Sequence, residues 1–402
     1  MIELLNISRR RRFYYITVVF FLYATLLVDM YRKAIGINTT VIRNIVYSLN
    51  LVFILLDMIH YKHFEKMLVM LIIVSLLFVI SYALNDHRSV YLSEWLFFIL
   101  RLWPAFYVGK YTEDWAIVSH YARKWIWIAL LYVFIAFFGN PETDTVAYAT
   151  LAANLFFVVW IAYYESFREH RILGIIICSL CFVPILFFGT RACLFGALLS
   201  IVLLVILQSQ GRLTSSKLFF WLFFIAFLIL IIVFFSNIII YLVDLFPNSR
   251  SLSYLIKGDV LNDSNRSKIY EKIINSLIQN PFKFHGLLGD RIYLAGKGAS
   301  DNIILSFFSH NVCLELCMNF GLLPGIFLSL YFLVVLVSAF RRVKYCDNAL
   351  RYMYAGVLGL SFVNMMVSSS YLGSYYIWLL FGLAYNIRQF SSQPPNSIKA
   401  NE

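Results

Sequence analysis

Phe307-Phe308-Ser309-His310-Asn311-Val312-Cys313-Leu314-Glu315 closes the one long polar segment of this chain, which lies between Leu242 and Gly325. On either side of it the sequence runs in apolar blocks joined by short polar turns. A chain built this way has room for water-facing chemistry in its long polar segment and in the short loops on the same side.

Of 402 residues, 61% are hydrophobic and 13% charged, against about 45–50% and about 25% in soluble domains. Mean hydropathy is +0.78. The expected fold class is all-α, a polytopic integral membrane protein. A span needs about 20 apolar residues, and about twelve blocks approach that length. Their limits are Phe13–Val28, Val41–Ile59, Met67–Leu84, Val90–Val108, Trp125–Phe138, Val146–Tyr164, Ile172–Phe188, Ala192–Leu207, Leu218–Leu242, His310–Phe340, Tyr352–Ser368 and Leu372–Ile387. The blocks at Trp125 and Ala192 are short, less tilted or re-entrant. The division is nine spans in residues 1–242, an external loop at 243–309, three spans in 310–390 and a tail at 391–402.

Lys and Arg set the orientation. They cluster at Arg9–Arg12, Lys62, Lys110 with Arg123-Lys124, Arg168 with Arg171, Arg212 with Lys217, Arg341-Arg342 with Lys344 and Arg351, and Arg388 with Lys399. Intervening loops such as Gly139-Asn140-Pro141-Glu142-Thr143-Asp144 are poor in positive charge. Both termini are therefore expected in the cytoplasm, with the Asp244–Ser309 loop outside. Arg32, Lys33 and Arg43 disagree, because they flank the first outer turn. The first block has no small-residue cleavage site after it and is expected to stay as an anchor.

The net charge of +12 goes with retention of the basic loops. No basic stripe with interleaved aromatics lies outside the spans, so nucleic acid is not an expected partner. The six cysteines are spaced as small apolar residues rather than as a disulfide framework. His60 and His63 lack further ligands for a metal. No Asp-x-Asp, Gly-rich phosphate loop or Ser/His/Asp arrangement stands out. Neither metal nor cofactor is expected.

Inside the long segment, Pro247-Asn248-Ser249 is a turn. Asn262-Asp263-Ser264-Asn265 offers caps for a helix opening at Arg266, with Ile269, Ile273, Ile274 and Leu277 at helical spacing. Asn280-Pro281 stops it. Gly286, Gly289, Gly296 and Gly298 predict a flexible stretch able to move over a substrate.

The chemistry-bearing candidates follow. Arg191, in Phe188-Gly189-Thr190-Arg191-Ala192, is an arginine at a membrane boundary, which either snorkels or binds an anion. A guanidinium suits two-point contact with phosphate. Arg266 is a solvated helix residue or a second phosphate contact. Arg291 is a third, or is paired with Asp290. His310 caps a helix or takes a proton from a hydroxyl, since an ordinary imidazole titrates near 6.5. Glu315 lies about 140° round a helix from His310 and is placed to orient another part of the site. Asn311 and Asn319 cap or line the same region. Arg101 is deep for a charge and faces a polar cavity or meets Asp57.

Three of these matches resemble the bacterial O-antigen ligase and O-antigen polymerase superfamily. They are Gly189-Thr190-Arg191-Ala192 between two spans, Asn265-Arg266-Ser267 with a helix ending at Asn280-Pro281-Phe282, and Ser309-His310-Asn311 with Leu314-Glu315 and Gly321-Leu322-Leu323-Pro324-Gly325. The usual Gly-x-Gly after the Pro-aromatic is here Gly286-Leu287-Leu288-Gly289. The resemblance implies an enzyme acting on glycans carried by undecaprenyl diphosphate at the outer face of the inner membrane, without metal or nucleotide. It implies that His310 is the general base and that Arg191 and Arg266 hold the diphosphate. Arg291, Asn311 and Glu315 are the expected substrate-binding residues.

The expected activity is polymerisation of lipid-linked repeat units into a surface polysaccharide, O-antigen or capsule, inverting the anomeric carbon. The expected partners are the lipid-linked donor, a glycan acceptor, the bilayer and a chain-length regulator protein. The alternative is a ligase that delivers the glycan to a lipid A core. A non-enzymatic transporter for lipid-linked sugar predicts repeated halves, and no internal repeat is present.

Overall fold

The computed structural model describes residues 8–35, 40–85, 87–138, 145–188, 191–208, 266–296, 298–367 and 369–390. The block Leu218–Leu242, the turn at Pro247, the caps at 262–265, Gly189-Thr190 and the tail lie outside the described residues.

Every regular element among the described residues is helical: α1 (Arg9–Ile35), α2 (Thr40–His60), α3 (Phe64–Leu84), α4 (Arg88–Phe97), α5 (Trp103–Tyr111), α6 (Trp115–Lys124), α7 (Ile126–Phe138), α8 (Thr145–Arg168), α9 (Ile172–Phe188), α10 (Arg191–Gln208), α11 (Arg266–Gln279), α12 (Gly289–Ala295), α13 (Asp301–Ser306), α14 (Val312–Phe320), α15 (Leu322–Arg342), α16 (Asn348–Val367) and α17 (Tyr375–Phe390). Five described segments are long and apolar enough to cross a membrane: Arg10–Tyr31, Val41–His60, Phe64–Leu84, Leu322–Tyr345 and Asn348–Val367. Shorter apolar stretches occur at Ile126–Ile135, Ile172–Phe182 and Phe195–Gln208.

Burial sorts these helices. Two-thirds or more of α1 and α16 is enclosed by protein, against about a fifth of α2, α3 and α15. The first two form the centre. The other three turn apolar side chains such as Ile73, Val79, Leu330 and Val334 outward, which is stable against lipid and costly against water.

Small residues let the central helices approach. Gly196 on α10 lies against Leu360 of α16, and Gly359 lies against Ser200, whose hydroxyl donates to the Gly356 carbonyl at 3.1 Å. Gly109 on α5 meets Gly382 on α17 backbone to backbone. In lipid, such close packing replaces the hydrophobic drive that water would supply.

Two expected spans are interrupted. The block Val90–Val108 is α4, a π-turn at Phe98–Leu102 and α5. Pro104 has no N–H to close the ladder there, and the Trp103 N–H reaches back five residues to the Phe98 carbonyl. The π-turn directs Arg101 inward, where it donates to the Phe21 carbonyl and to Thr25 Oγ1, each at 2.6 Å, and lies 4.1 Å from the Phe21 and Tyr375 ring centres. Asp57 instead accepts from the Tyr107 hydroxyl at 2.5 Å. Arg101 is thus held by carbonyl, hydroxyl and aromatic faces, and Asp57, one of the two surroundings open for it, is bonded elsewhere.

The second interruption matters more. The apolar run from His310 to Phe340 is not one helix. It breaks at Gly321, which has φ +89, so α14 stops and the crossing segment starts only at Leu322. Gly321 supplies a left-handed turn at little cost. Gly325, against the backbone of Cys317, lets the two helices fold onto each other. His310 and α14 consequently sit outside the span, at one end of the bundle.

Another set of basic residues lies at the other end. Arg11 pairs with Glu113 at 3.6 Å, Arg342 donates to the Arg388 carbonyl at 3.2 Å, and Asn386 donates to the Thr112 carbonyl at 2.8 Å.

Candidate functional site

The site is built on the turn that opens α14. Asn311 caps that helix: its Oδ1 accepts the Leu314 N–H at 3.1 Å, and its Nδ2 donates to the Met366 carbonyl, near the end of α16, at 3.2 Å. The Ser309 N–H donates to Asp290 Oδ2 at 3.0 Å, and the Ser309 hydroxyl to the Asn311 carbonyl at 3.0 Å. His310 is pinned between these two anchors with φ +54. A non-glycine residue there costs on the order of 1 kcal/mol, and such residues collect at functional sites.

The His310 ring stands 3.9 Å from the Phe308 ring. It is half-buried, and its Nδ1 is enclosed without a hydrogen-bond partner among the described residues. The edge open to an incoming group is therefore Nε2. Burial, and secondly the charge of Arg266, push this imidazole down to about 4. It is neutral at physiological pH.

Arg266, first residue of α11, acts on that ring through its charge and so lies at the same end of the bundle. α11 ends at Gln279, ahead of Asn280-Pro281, and buries Ile273 and Leu277 against Cys317 and Met318 of α14. Arg191 is the first residue of α10. The antiparallel register, Gly196 on Leu360 and Ser200 on Gly356, sets the α10 start roughly level with Met365, beside the carbonyl that Asn311 grips. The backbone of Arg191 and the side chains of His310 and Arg266 thus share one end.

Arg291 and Glu315, expected to bind substrate, are both enclosed. Arg291 is 4% exposed and Glu315 is 0%. Arg291 Nη2 donates to Ser370 Oγ at 3.0 Å, and that hydroxyl donates to Glu315 Oε1 at 2.5 Å. The Tyr371 N–H donates to Glu315 Oε2 at 3.1 Å. Arg291 also stands 3.7 Å from Glu94 on α4. Asn319 joins the rest: its Oδ1 accepts the Asp290 N–H at 3.2 Å, and its Nδ2 donates to the Tyr371 hydroxyl at 3.0 Å. Arg291 is bonded to Ser370 rather than to Asp290, and its Nε, like Asp290 Oδ1, is buried without a hydrogen-bond partner among the described residues. Of Arg291, Glu315 and Asn319, it is Asn319 that bonds Asp290 directly, and Asp290 in turn accepts from Ser309 beside His310.

Three acids surround this guanidinium. Burial pushes the Glu315 carboxyl up, to about 8, with Asp290 as a second cause. Burial likewise raises Asp290. Arg43, one of the residues that spoiled the orientation pattern, bears on Glu94 through its charge.

The glycine stretch is packed at its start and open at its end. Gly286 packs on Ser81, whose hydroxyl accepts the Leu287 N–H at 2.8 Å, and Gly289 packs on His285. Only Gly296 and Gly298 have open space around them. Beyond them Asp301 is tied to His87 at 3.6 Å and to the Ser89 hydroxyl.

Glu94, Ser370 and Tyr371 were missed from the sequence. Glu94 is the sole acid in the block Val90–Val108, and an intramembrane carboxyl is itself a signal. At the basic end, His120, Glu165 and Glu169 bring potential ligand atoms within 4.8 Å of one another. Arg123 lies 2.6 Å and Arg171 3.4 Å from Glu169, and Arg168 lies 3.0 Å from Glu165. Three guanidiniums compete for those oxygens, so the cluster is an ion-pair network.

No protein-family model matches the chain, and no curated protein matches it.

Proposed function

We propose that the chain is a membrane glycosyltransferase that polymerises undecaprenyl-diphosphate-linked repeat units into a surface polysaccharide. The observation that carries this reading is the meeting, at one end of an apolar bundle, of a neutral imidazole in a strained turn with the Arg266 guanidinium and the helix start that carries Arg191. The basic residues at the opposite end support a cytoplasmic location for that end. On this reading His310 lies outside, in a twelve-span chain with both termini cytoplasmic.

In this mechanism His310 Nε2 takes the proton of an acceptor hydroxyl. The hydroxyl oxygen attacks the anomeric carbon as its bond to the phosphate oxygen breaks. Undecaprenyl diphosphate leaves with the electron pair, its charge met by Arg266 and Arg191. One displacement inverts the anomeric centre. An imidazole near 4 is a weak base in the empty site. A diphosphate beside Arg266 cancels the like charge on the ring and raises its basicity when substrate is present.

Two expected results test this. The acid limb of kcat/KM should lie near pH 4 rather than 6.5, because that profile reports the free enzyme. Arg266→Gln should move the limb upward, since one of the two causes of the depression is gone. A limb at 6.5 in both chains contradicts the assignment. Arg191→Lys should reduce polymer about 10-fold or more, because an ammonium cannot make two-point contact with phosphate oxygens. Wild-type polymer from Arg191→Lys, read on a gel of surface polysaccharide, removes Arg191 from the mechanism.

A further inference from the structure

The α11 helix has three faces where a surface helix of a soluble domain has two. With about 100° per residue, Ile269, Ile273 and Leu277 form the face packed on α14 and Leu322. Lys268, Lys272, Asn275 and Gln279 form an exposed polar face. Between them runs a second apolar row, Ile274 and Ile278, continued past the helix end by Phe282. Ile278 is 71% and Phe282 75% exposed. A row of large apolar side chains open to water is unstable unless something covers it.

The position of the row identifies the cover. The Pro281 carbonyl accepts the Leu322 N–H at 2.7 Å, and Phe282 lies beside Gly321. The end of α11 is therefore stapled to the head of the α15 span. That span presents Leu323, Ile326 and Phe327 outward from its first turn and a half. The exposed row of α11 is continuous with a lipid-facing surface. Lys268, Lys272 and the exposed Lys283 lie to one side of it, and the exposed Glu271, the only acid in the helix, lies at its polar edge one turn before Ile274. Basic residues beside an apolar stripe suit a surface of anionic headgroups over acyl chains.

We infer that α11 is a membrane-interface helix, lying in the headgroup boundary at the end where α15 begins, with Ile274, Ile278 and Phe282 inserted among acyl chains. The covering partner is the bilayer itself. Its seat fixes Arg266 at headgroup level, the depth at which any lipid-borne phosphate is found. The inference holds whether or not the chain transfers sugar.

The test uses the full chain with the two partly exposed cysteines, Cys313 and Cys346, replaced by serine. Single nitroxide labels go on Asn275→Cys, Ile278→Cys and Phe282→Cys. The protein is placed in nanodiscs of phosphatidylethanolamine and phosphatidylglycerol. Collisions with oxygen, which concentrates in acyl chains, are compared with collisions with a water-soluble nickel chelate. Labels at 278 and 282 should favour oxygen over nickel several-fold more than the label at 275. Equal nickel access at all three positions overturns the inference. Shielding of 278 and 282 from both reagents also overturns it, because protein and not lipid then covers the row.

Discussion

Cells whose only copy is His310→Ala should carry acceptors capped with a single repeat unit and no longer polymer, while the protein remains in the membrane at its normal level. Loss of a general base slows glycosyl transfer about 10²–10⁴-fold, enough to erase a ladder on a gel. The fold should tolerate the change. Among the described residues no hydrogen bond ties the ring down, and alanine removes a half-buried side chain next to Phe308. His310→Gly should melt at a higher temperature than His310→Ala, because glycine adopts φ +54 freely, yet be equally inactive. That split separates chemistry from backbone strain. Full-length polymer from His310→Ala contradicts the assignment outright. Bare acceptors with polymer retained on the lipid carrier would indicate delivery to a lipid A core instead.

Arg291→Ala should cost stability as well as activity. Its guanidinium is enclosed with Glu94, Asp290 and Glu315, and it holds Ser370. Removing one partner of a buried charge cluster costs about 3–5 kcal/mol. Heating in detergent should show this as earlier loss of folded, monodisperse protein. The pH dependence has a definite sign. Glu315 has a folded-state value near 8, above its ordinary carboxyl range, so the folded state binds more protons than the unfolded one between those limits. Stability from this group is full below the ordinary range and is lost as pH rises through about 8. Without Arg291 the acids hold their protons more tightly. The variant's deficit should therefore widen toward alkaline pH and shrink toward pH 5. An Arg291→Ala chain as stable as the parent would mean that the cluster does not support the fold.

The parts of this account that were legible in the sequence are local. The α11 helix announces itself by Ile269, Ile273 and Leu277, and Asn280-Pro281 marks its end. The apolar blocks announce a bundle because lipid accepts few other compositions. The break at Gly321 was hidden, since apolar residues continue across it and hydropathy has no term for φ. Pro104 did carry a signal for the interrupted helix, but not for the inward turn of Arg101, which depends on where the π-turn rotates the side chain. The network behind His310 was legible only in fragments. Glu94, Arg291, Glu315 and Ser370 come from four separate elements. Their pairing is a matter of tertiary register, with no spacing rule to betray it. For the same reason nothing in the sequence signalled that Arg291 and Glu315 would be buried together.

The account stands or falls on anomeric chemistry without a metal. Purified protein in lipid nanodiscs, with a chelator present, should convert undecaprenyl-diphosphate-linked repeat units into a ladder whose new linkages are inverted relative to the donor, and His310→Ala should not. Retained configuration, or a ladder from His310→Ala equal to that of the parent chain, would contradict it.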